Sequence, residues 1–83
     1  MKLTDEYGMS YWAFDQCFFE GNDIPEIRSL INCSLPAYMY CRYVKDIEEL
    51  WTKINESMWA KEYCIYVKDR PEVRRYIKDE INR

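Results

Sequence analysis

The sequence predicts an all-α fold in which three tandem helix-turn-helix repeats form a small helical stack. Two observations carry this prediction. First, the segment 57–77 matches the segment 34–54, which lies 23 residues earlier, and the segment 10–31, which begins 24 residues before that. Second, apolar residues in each copy recur three and four positions apart, which is the spacing of one buried helix face. The chain is therefore interpreted as a triplication.

Eight positions of the repeat are shared by all three copies, which is too many for coincidence in a chain of 83 residues. The triplets are Ser10/Ser34/Ser57, Ala13/Ala37/Ala60, Cys17/Cys41/Cys64, Phe19/Tyr43/Tyr66, Asp23/Asp46/Asp69, Glu26/Glu49/Glu72, Ile27/Leu50/Val73 and Ile31/Ile54/Ile77. Because stacked repeats bury the apolar faces of their neighbours, three copies are about the minimum for a stable stack.

The second half of each repeat carries the signals of a helix start. Asp23, Asp46 and Asp69 each stand three residues before a Glu and an apolar run, which is the pattern of a reciprocal capping box. Pro25 and Pro71 fall in the first turn of the helix that would follow, where a missing N–H costs nothing. We therefore expect each Asp to cap a helix, with Ile24, Ile27, Ile31 and Ile47, Leu50, Ile54 on buried faces.

The first half of each repeat is rich in Tyr, Phe and Val, which also favour strands, so βα repeats are the alternative. Three features favour a helix. The repeated Ser stands where an N-cap would stand, Pro36 falls in the first turn of the second copy, and Ala37, Cys41 and Val44 keep helical spacing. Gly21 is a natural left-handed terminator in the first copy.

The predicted organisation is a single domain over residues 1–83, with an N-terminal segment at 1–9 and repeats at 10–33, 34–56 and 57–83. Asn32 and Asn55 are expected to end second helices in the left-handed conformation. The predicted helices are 10–20, 24–31, 34–44, 47–55, 57–67 and 70–82.

The composition gives little support to catalysis, metal binding or a cofactor. The chain has no His, and its glycines are Gly8 and Gly21, too few for a phosphate-binding loop. The four Cys show no C-x-x-C spacing, and three of them are repeat-equivalent core positions. Cys33 lies outside the pattern and is expected to be the most reactive or exposed thiol, with a partly buried loop residue as the alternative. We therefore expect no enzyme, no metal and no cofactor.

The sequence carries no signal-peptide pattern and no apolar run long enough to cross a bilayer. These features predict a soluble cytoplasmic protein without a membrane partner. In that compartment all four Cys are expected to be reduced.

Charge is unevenly distributed along the chain. Residues 1–60 hold ten acidic and five basic side chains, whereas residues 61–83 hold five acidic and seven basic ones. The basic C-terminal helix is open to two interpretations: a nucleic-acid contact, or a solvated helix whose cations suit the helix dipole. The low sequence pI, near 4.9, disfavours a general nucleic-acid binder.

Hydrophobic residues make up 48% of the chain and aromatic residues 17%, so some aromatic side chains must reach the surface of so small a domain. Exposed aromatic and Arg side chains are typical anchors of protein interfaces. The leading hypothesis is therefore a non-enzymatic protein-binding module, and the alternatives are a homo-oligomeric structural module and a nucleic-acid binder. The candidate partner-binding residues are Trp12, Tyr38, Arg42, Trp51, Trp59, Arg74 and Arg75.

In construction the chain resembles short tandem αα-repeat proteins such as ankyrin and tetratricopeptide modules. The motif W-A-x-x-Y-C-x-x-V-K-D-R-P-E-V, from Trp59 to Val73, is similar to repeats of the same length in proteins of large phages and viruses. The ankyrin T-P-L-H turn and β-finger are missing, so ankyrin binding rules do not transfer. The resemblance implies a repeat architecture and a binding habit only. Together with the exposed aromatic residues, the small size and the missing catalytic chemistry, it favours the hypothesis of a small phage or mobile-element protein that modulates or inhibits a larger host protein in the host cytoplasm.

Overall fold

A computed structural model describes residues 6–78, and these residues form helices and turns without strands. The helices are α1 (Glu6–Phe18), α2 (Pro25–Arg28), α3 (Ser34–Tyr43), α4 (Glu48–Trp51), α5 (Ser57–Tyr66) and α6 (Pro71–Arg74). The predicted all-α stack is confirmed, and the βα alternative is wrong. The N-terminal part of the segment 1–9 and the end of the helix predicted at 70–82 lie outside the described residues.

Each repeat consists of one long helix, a turn and a single-turn helix. The long helices α1, α3 and α5 pack side by side with α3 in the middle, and each short helix packs against the long helix of its own repeat. The resulting stack is elongated, measuring 42 × 24 × 16 Å. The long helices α3 and α5 end within one residue of the predicted boundaries, whereas α1 begins one turn earlier than predicted.

The second helices are shorter than predicted, because the chain tightens after one turn. In the first repeat, the N–H groups of Leu30 and Ile31 bond to the carbonyls of Ile27 and Arg28, three residues back. The equivalent pairs recur in the other two repeats. Such bonds form a 3₁₀-like turn, which is a common way for a short helix to end.

The repeated Ser does not cap its own helix, contrary to the prediction. Ser10 is buried inside α1, where its Oγ donates to the Leu30 carbonyl at 3.2 Å and accepts from the Asn32 N–H at 2.8 Å. The Oγ of Ser34 makes the equivalent contacts with the Lys53 carbonyl and with the N–H groups of Asn55 and Glu56. The Oγ of Ser57 accepts from the Lys78 N–H at 2.8 Å. The Ser therefore ties the long helix to the end of the same repeat.

The predicted Asp caps are also wrong. The N-cap residues of the short helices are Ile24, Ile47 and Arg70, and none of them makes a side-chain capping bond. Pro25 and Pro71 do lie at the start of α2 and α6, as predicted. Ile24 is exposed instead of lying on the predicted buried face, whereas Ile47, at the equivalent N-cap position, is half-buried against the core.

The Asp side chains instead join neighbouring repeats. The Oδ1 of Asp23 accepts from the Tyr40 hydroxyl at 2.7 Å, and the Oδ1 of Asp46 accepts from the Tyr63 hydroxyl at the same distance. In both pairs the tyrosine follows the aspartate by 17 residues and belongs to the next repeat. We call these two pairs the tyrosine clasps.

Donors from the surrounding repeats complete each clasp. Asp23 also accepts from Arg28 at 2.9 Å, and Asp46 accepts from the Trp51 indole N–H at 2.9 Å. Arg70 adds a charged pair to Asp46 at 2.7 Å. A partly buried carboxylate is costly to desolvate unless its oxygens are bonded, and these donors meet that requirement.

The core lies where the long helices meet. Ala13, Ala37 and Ala60 are fully buried, as the small-residue pattern predicted, and they allow close approach of the helices. Cys17 and Cys41 are buried as well. The remaining fully buried apolar side chains include Ile31, Tyr40, Leu50, Ile54, Tyr63 and Val73.

Gly21 adopts a φ of +75°, in the left-handed region, as predicted. Within residues 6–78, no residue other than glycine has a positive φ, so the predicted left-handed ends at Asn32 and Asn55 are wrong. The Asn32 side chain instead accepts a hydrogen bond from Lys53 at 2.8 Å. The Asn55 Oδ1 lies 3.0 Å from the Ser34 hydroxyl and shares that hydroxyl's single hydrogen with the Lys53 carbonyl.

The clasps make stability depend on pH in a defined direction. Burial alone would raise the pKa of the Asp46 carboxyl, but hydrogen bonds from Tyr63, Arg70 and Trp51 hold it below its ordinary value of 3.8. A carboxyl with a lowered pKa in the folded state contributes stability above its unfolded pKa. That contribution is lost as the pH falls through 3.8 toward the folded value.

We predict that Asp46→Asn lowers the free energy of unfolding at pH 7 by about 1.5–3 kcal/mol, the range for a hydrogen bond to a charged group. The difference from wild type should shrink as the pH is lowered below about 4, because protonation weakens the wild-type clasp. Urea unfolding at several pH values measures this, with Asp15→Asn, at an exposed position, as the control. Parallel stability curves for wild type and Asp46→Asn would contradict the assignment.

Candidate functional site

An exposed row of aromatic side chains crosses the C-terminal ends of the three long helices. The side chains of this row are strongly exposed: Phe19 by 70%, Tyr43 by 51% and Tyr66 by 55%. The residue that precedes each of them, Phe18, Arg42 and Ile65, extends the row. We call this set the aromatic ladder, and its members are Phe18, Phe19, Arg42, Tyr43, Ile65 and Tyr66.

The ladder follows directly from the stacking of identical units. Each member occupies one of two neighbouring repeat positions, and the long helices lie side by side with their C-terminal ends together. The ring centroids of Phe18 and Tyr43 are 6.0 Å apart, and the Arg42 guanidinium lies 4.4 Å from the centroid of the Tyr66 ring. The side chains therefore form one continuous surface across all three repeats.

Arg42 is the fixed cation at the centre of the ladder. Its guanidinium lies over the rings of both Tyr43, at 5.2 Å, and Tyr66, at 4.4 Å. Its Nη1 also donates to the hydroxyl of the buried Tyr38 at 2.8 Å. Cation–π contacts and a hydrogen bond hold this long side chain in one place, so little conformational entropy remains to be lost on binding.

The apolar end of the ladder is equally well packed. The Phe18 ring lies 5.4 Å from Phe14, which is buried, and 4.7 Å from Phe19. Two exposed lysines, Lys45 and Lys68, follow the ladder in the turns after α3 and α5. The ladder is thus an aromatic surface with cations at its centre and along one side.

Of the residues predicted to bind a partner, Arg42 is the one that lies in the ladder. Tyr38 is buried and its ring stacks on Trp59, with centroids 5.7 Å apart, where the second and third repeats meet. Trp12 is half-buried against the core. The structure therefore gives Tyr38 and Trp59 a packing contact within the stack.

The remaining predicted residues lie around the short helices α4 and α6. Trp51 is half-buried, donates to Asp46, and has the Arg70 guanidinium 4.0 Å from its ring centroid. Arg74 is exposed but forms an ion pair with Asp69, and Arg75 is exposed beside the Tyr76 ring. These side chains do not meet those of the ladder.

Sequence reasoning missed five of the six ladder residues, although one signal pointed to three of them. Phe19, Tyr43 and Tyr66 recur as an aromatic triplet, and each follows a repeat Cys by two positions. Two positions correspond to a rotation of about 200° around a helix, so these side chains point away from the face that buries the Cys.

The four Cys are unlike one another in their surroundings. Burial, together with the neighbouring Asp23, raises the pKa of the Cys17 thiol to about 11, and burial raises that of Cys41 to about 12. Burial also raises the pKa of the half-buried Cys64. A raised pKa lowers the thiolate fraction and hence the reactivity of these thiols.

Cys33 lies half-buried at the N-cap of α3, on a cavity of about 350 Å³ that residues of all three repeats line. This cavity is at the opposite end of the long helices from the ladder. The other residues that line it are Asn32, Ser34, Leu35, Asn55, Glu56 and Trp59.

No helix among residues 6–78 is both long and apolar enough to cross a membrane. In the same part of the chain, no group of three or more His, Cys, Asp or Glu side chains is placed to hold a metal ion.

Comparisons with protein-family models, curated proteins and solved structures found no match for this chain.

We predict that alkylation with iodoacetamide at pH 8 modifies Cys33 first, Cys64 more slowly, and Cys17 and Cys41 last. The order follows from the burial and the raised pKa of the other three thiols. Mass spectrometry of peptides from a time course measures it, and urea-unfolded protein is the control in which the four rates converge. Modification of Cys41 before Cys33 in the folded protein would contradict this placement.

Proposed function

We propose that the protein is a non-enzymatic binding module that docks on a larger partner protein through the aromatic ladder. The observation that carries this proposal is the fixed position of Arg42 between two exposed tyrosine rings. Tyr and Arg are enriched among the residues that dominate interface energies. Side chains held in place before binding also lose less entropy when the complex forms.

The chemistry of the ladder indicates what kind of partner surface it suits. Phe18 and Phe19 offer aromatic area at one end, while Arg42 at the centre and Lys68 at the side provide positive charge. Lys45 is paired with Asp23 at 3.5 Å and contributes less. A complementary surface would carry an apolar patch flanked by carboxylates, because charge complementarity steers encounter and excludes wrong partners. An exposed aromatic patch of this kind on a small domain is typical of an interaction site.

The proposed biological role is that of a small modulator of a host protein. The support for it is the resemblance of the repeat motif to repeats in phage and viral proteins, together with the exposed aromatic surface. Blocking a larger protein requires a surface and no catalytic group, and the ladder is such a surface. Nucleic-acid binding is less well supported, because Arg74 is already paired with Asp69.

We predict that Tyr43→Ala weakens partner binding at least tenfold, which is the scale expected when an anchor residue is truncated. The partner is first captured from lysate of the source or its host by tagged protein, after nuclease treatment and at two salt concentrations. Binding of wild type and variants to the captured protein is then measured. Ile24→Ala is the matched control, since Ile24 is exposed and apolar but is not a member of the ladder.

Circular dichroism should show that both variants are folded, because Tyr43 and Ile24 are both exposed. A protein that binds wild type and Ile24→Ala, but not Tyr43→Ala, would support the proposal. Equal binding by all three proteins would contradict it. Captured proteins that are lost after nuclease treatment would also contradict it, because their capture would then depend on nucleic acid.

A further inference from the structure

The last long helix of the stack, α5, presents a repeat interface that no helix within residues 6–78 covers. Leu35 and Tyr38 of α3 occupy the positions that correspond to Met58 and Lys61 of α5. In α3, Leu35 is half-buried and Tyr38 is buried, both beneath α5. In α5, Met58 and Lys61 are both exposed, Met58 by 60%.

The acceptor for a third clasp stands at the same end. Asp69 is the repeat equivalent of Asp23 and Asp46, and it is exposed. It is paired with Arg74 of its own repeat, as Asp23 is paired with Arg28. No tyrosine among the described residues reaches Asp69, whereas Tyr40 and Tyr63 reach the other two aspartates.

The opposite end of the stack carries the complementary half of the interface. Gln16 of α1 occupies the position of Tyr40 and Tyr63, and no aspartate among residues 6–78 accepts a hydrogen bond from its side chain. Its Oε1 accepts from the Asn22 amide at 2.8 Å, which leaves the Gln16 side-chain nitrogen as a donor. Trp12 occupies the position of Trp59, which in α5 stacks on Tyr38.

We propose that copies of this protein associate head to tail, with α1 of one copy packing on α5 of the next as a fourth repeat would. Continuity of the internal interface supports this geometry. Trp12 of the second copy would cover Lys61, as Trp59 covers Tyr38, and Gln16 would donate to Asp69. Phe19 would reach Ile65, as Tyr66 reaches Arg42.

Continuity with the internal interfaces selects a second copy as the occupant. Its first repeat carries Trp12, Gln16 and Phe19 at the repeat positions of Trp59, Tyr63 and Tyr66, which make the contacts with the second repeat inside the stack. A heterologous contact of this type forms open chains of copies rather than closed dimers.

The test uses one variant that blocks each end. Lys61→Glu places a carboxylate against the ring of Trp12, and Gln16→Glu places one against Asp69; both positions tolerate the change within the monomer. Sedimentation velocity from roughly 10 µM to roughly 1 mM spans the affinities expected of one small interface. Wild type should grow in mass with concentration, while each variant alone should remain a monomer.

The mixture of the two variants provides the decisive result. Each variant retains the end that the other has lost, so an equimolar mixture should form heterodimers and nothing larger. A wild type that stays monomeric throughout the concentration range would overturn the proposal. Dimers formed by either variant alone would also overturn it, because they require a symmetric contact.

A second pair of variants tests the clasp itself. Gln16→Tyr restores the repeat tyrosine, and Gln16→Phe, the matched control, supplies the ring without the hydroxyl. Association of the Tyr variant should be at least tenfold tighter than that of the Phe variant, the scale of one hydrogen bond to a carboxylate. Equal association by the two variants would overturn the assignment of Asp69 as the acceptor. These variants leave Arg42 and Tyr43 unchanged, so partner binding by the ladder is tested separately.

Discussion

The structure depends on a carboxylate that two neighbouring repeats share. Asp23 and Asp46 each bind a donor from their own repeat and a tyrosine hydroxyl from the next one. Burial of apolar surface supplies most of the driving force for stacking, but it has no direction and does not fix how far one helix slides along another. The clasp fixes this position of one helix along the other, because a partly buried carboxylate is stable only where its hydrogen-bond donors meet it.

A fixed register turns a repeated sequence into a repeated surface. Since the long helices lie side by side at the same height, Phe19, Tyr43 and Tyr66 form a row at their ends, with Arg42 held between two of the rings. The same register leaves an acceptor at one end of the stack, on Asp69, and a donor position at the other, on Gln16. The surface proposed to bind a partner and the ends proposed to bind further copies therefore have one structural origin.

The triplication and the Ala and Cys spacing were sufficient to predict the all-α stack and the bounds of α3 and α5. They were not sufficient to assign the polar positions of the repeat. Asp with Glu three residues later is a local capping pattern, but the hydroxyl that binds Asp46 lies 17 residues away, and the carbonyl that binds Ser34 lies 19 residues away. Local spacing contains no information about such partners. One clue was present: tyrosine stands at positions 40 and 63, each 17 residues after a repeat aspartate, but glutamine stands at the equivalent position 16.

The most direct test of the clasp is a double-mutant cycle between Tyr63→Phe and Asp46→Asn, with unfolding free energies measured in urea at pH 7. If the hydroxyl and the carboxylate stabilise the stack together, the two losses should be non-additive by about 1–3 kcal/mol, as expected for residues in direct contact. The cycle between Tyr66→Phe and Asp46→Asn is the control, because Tyr66 belongs to the exposed ladder. Additive losses for Tyr63 and Asp46, within about 0.5 kcal/mol, would contradict the clasp as the interaction that sets the register.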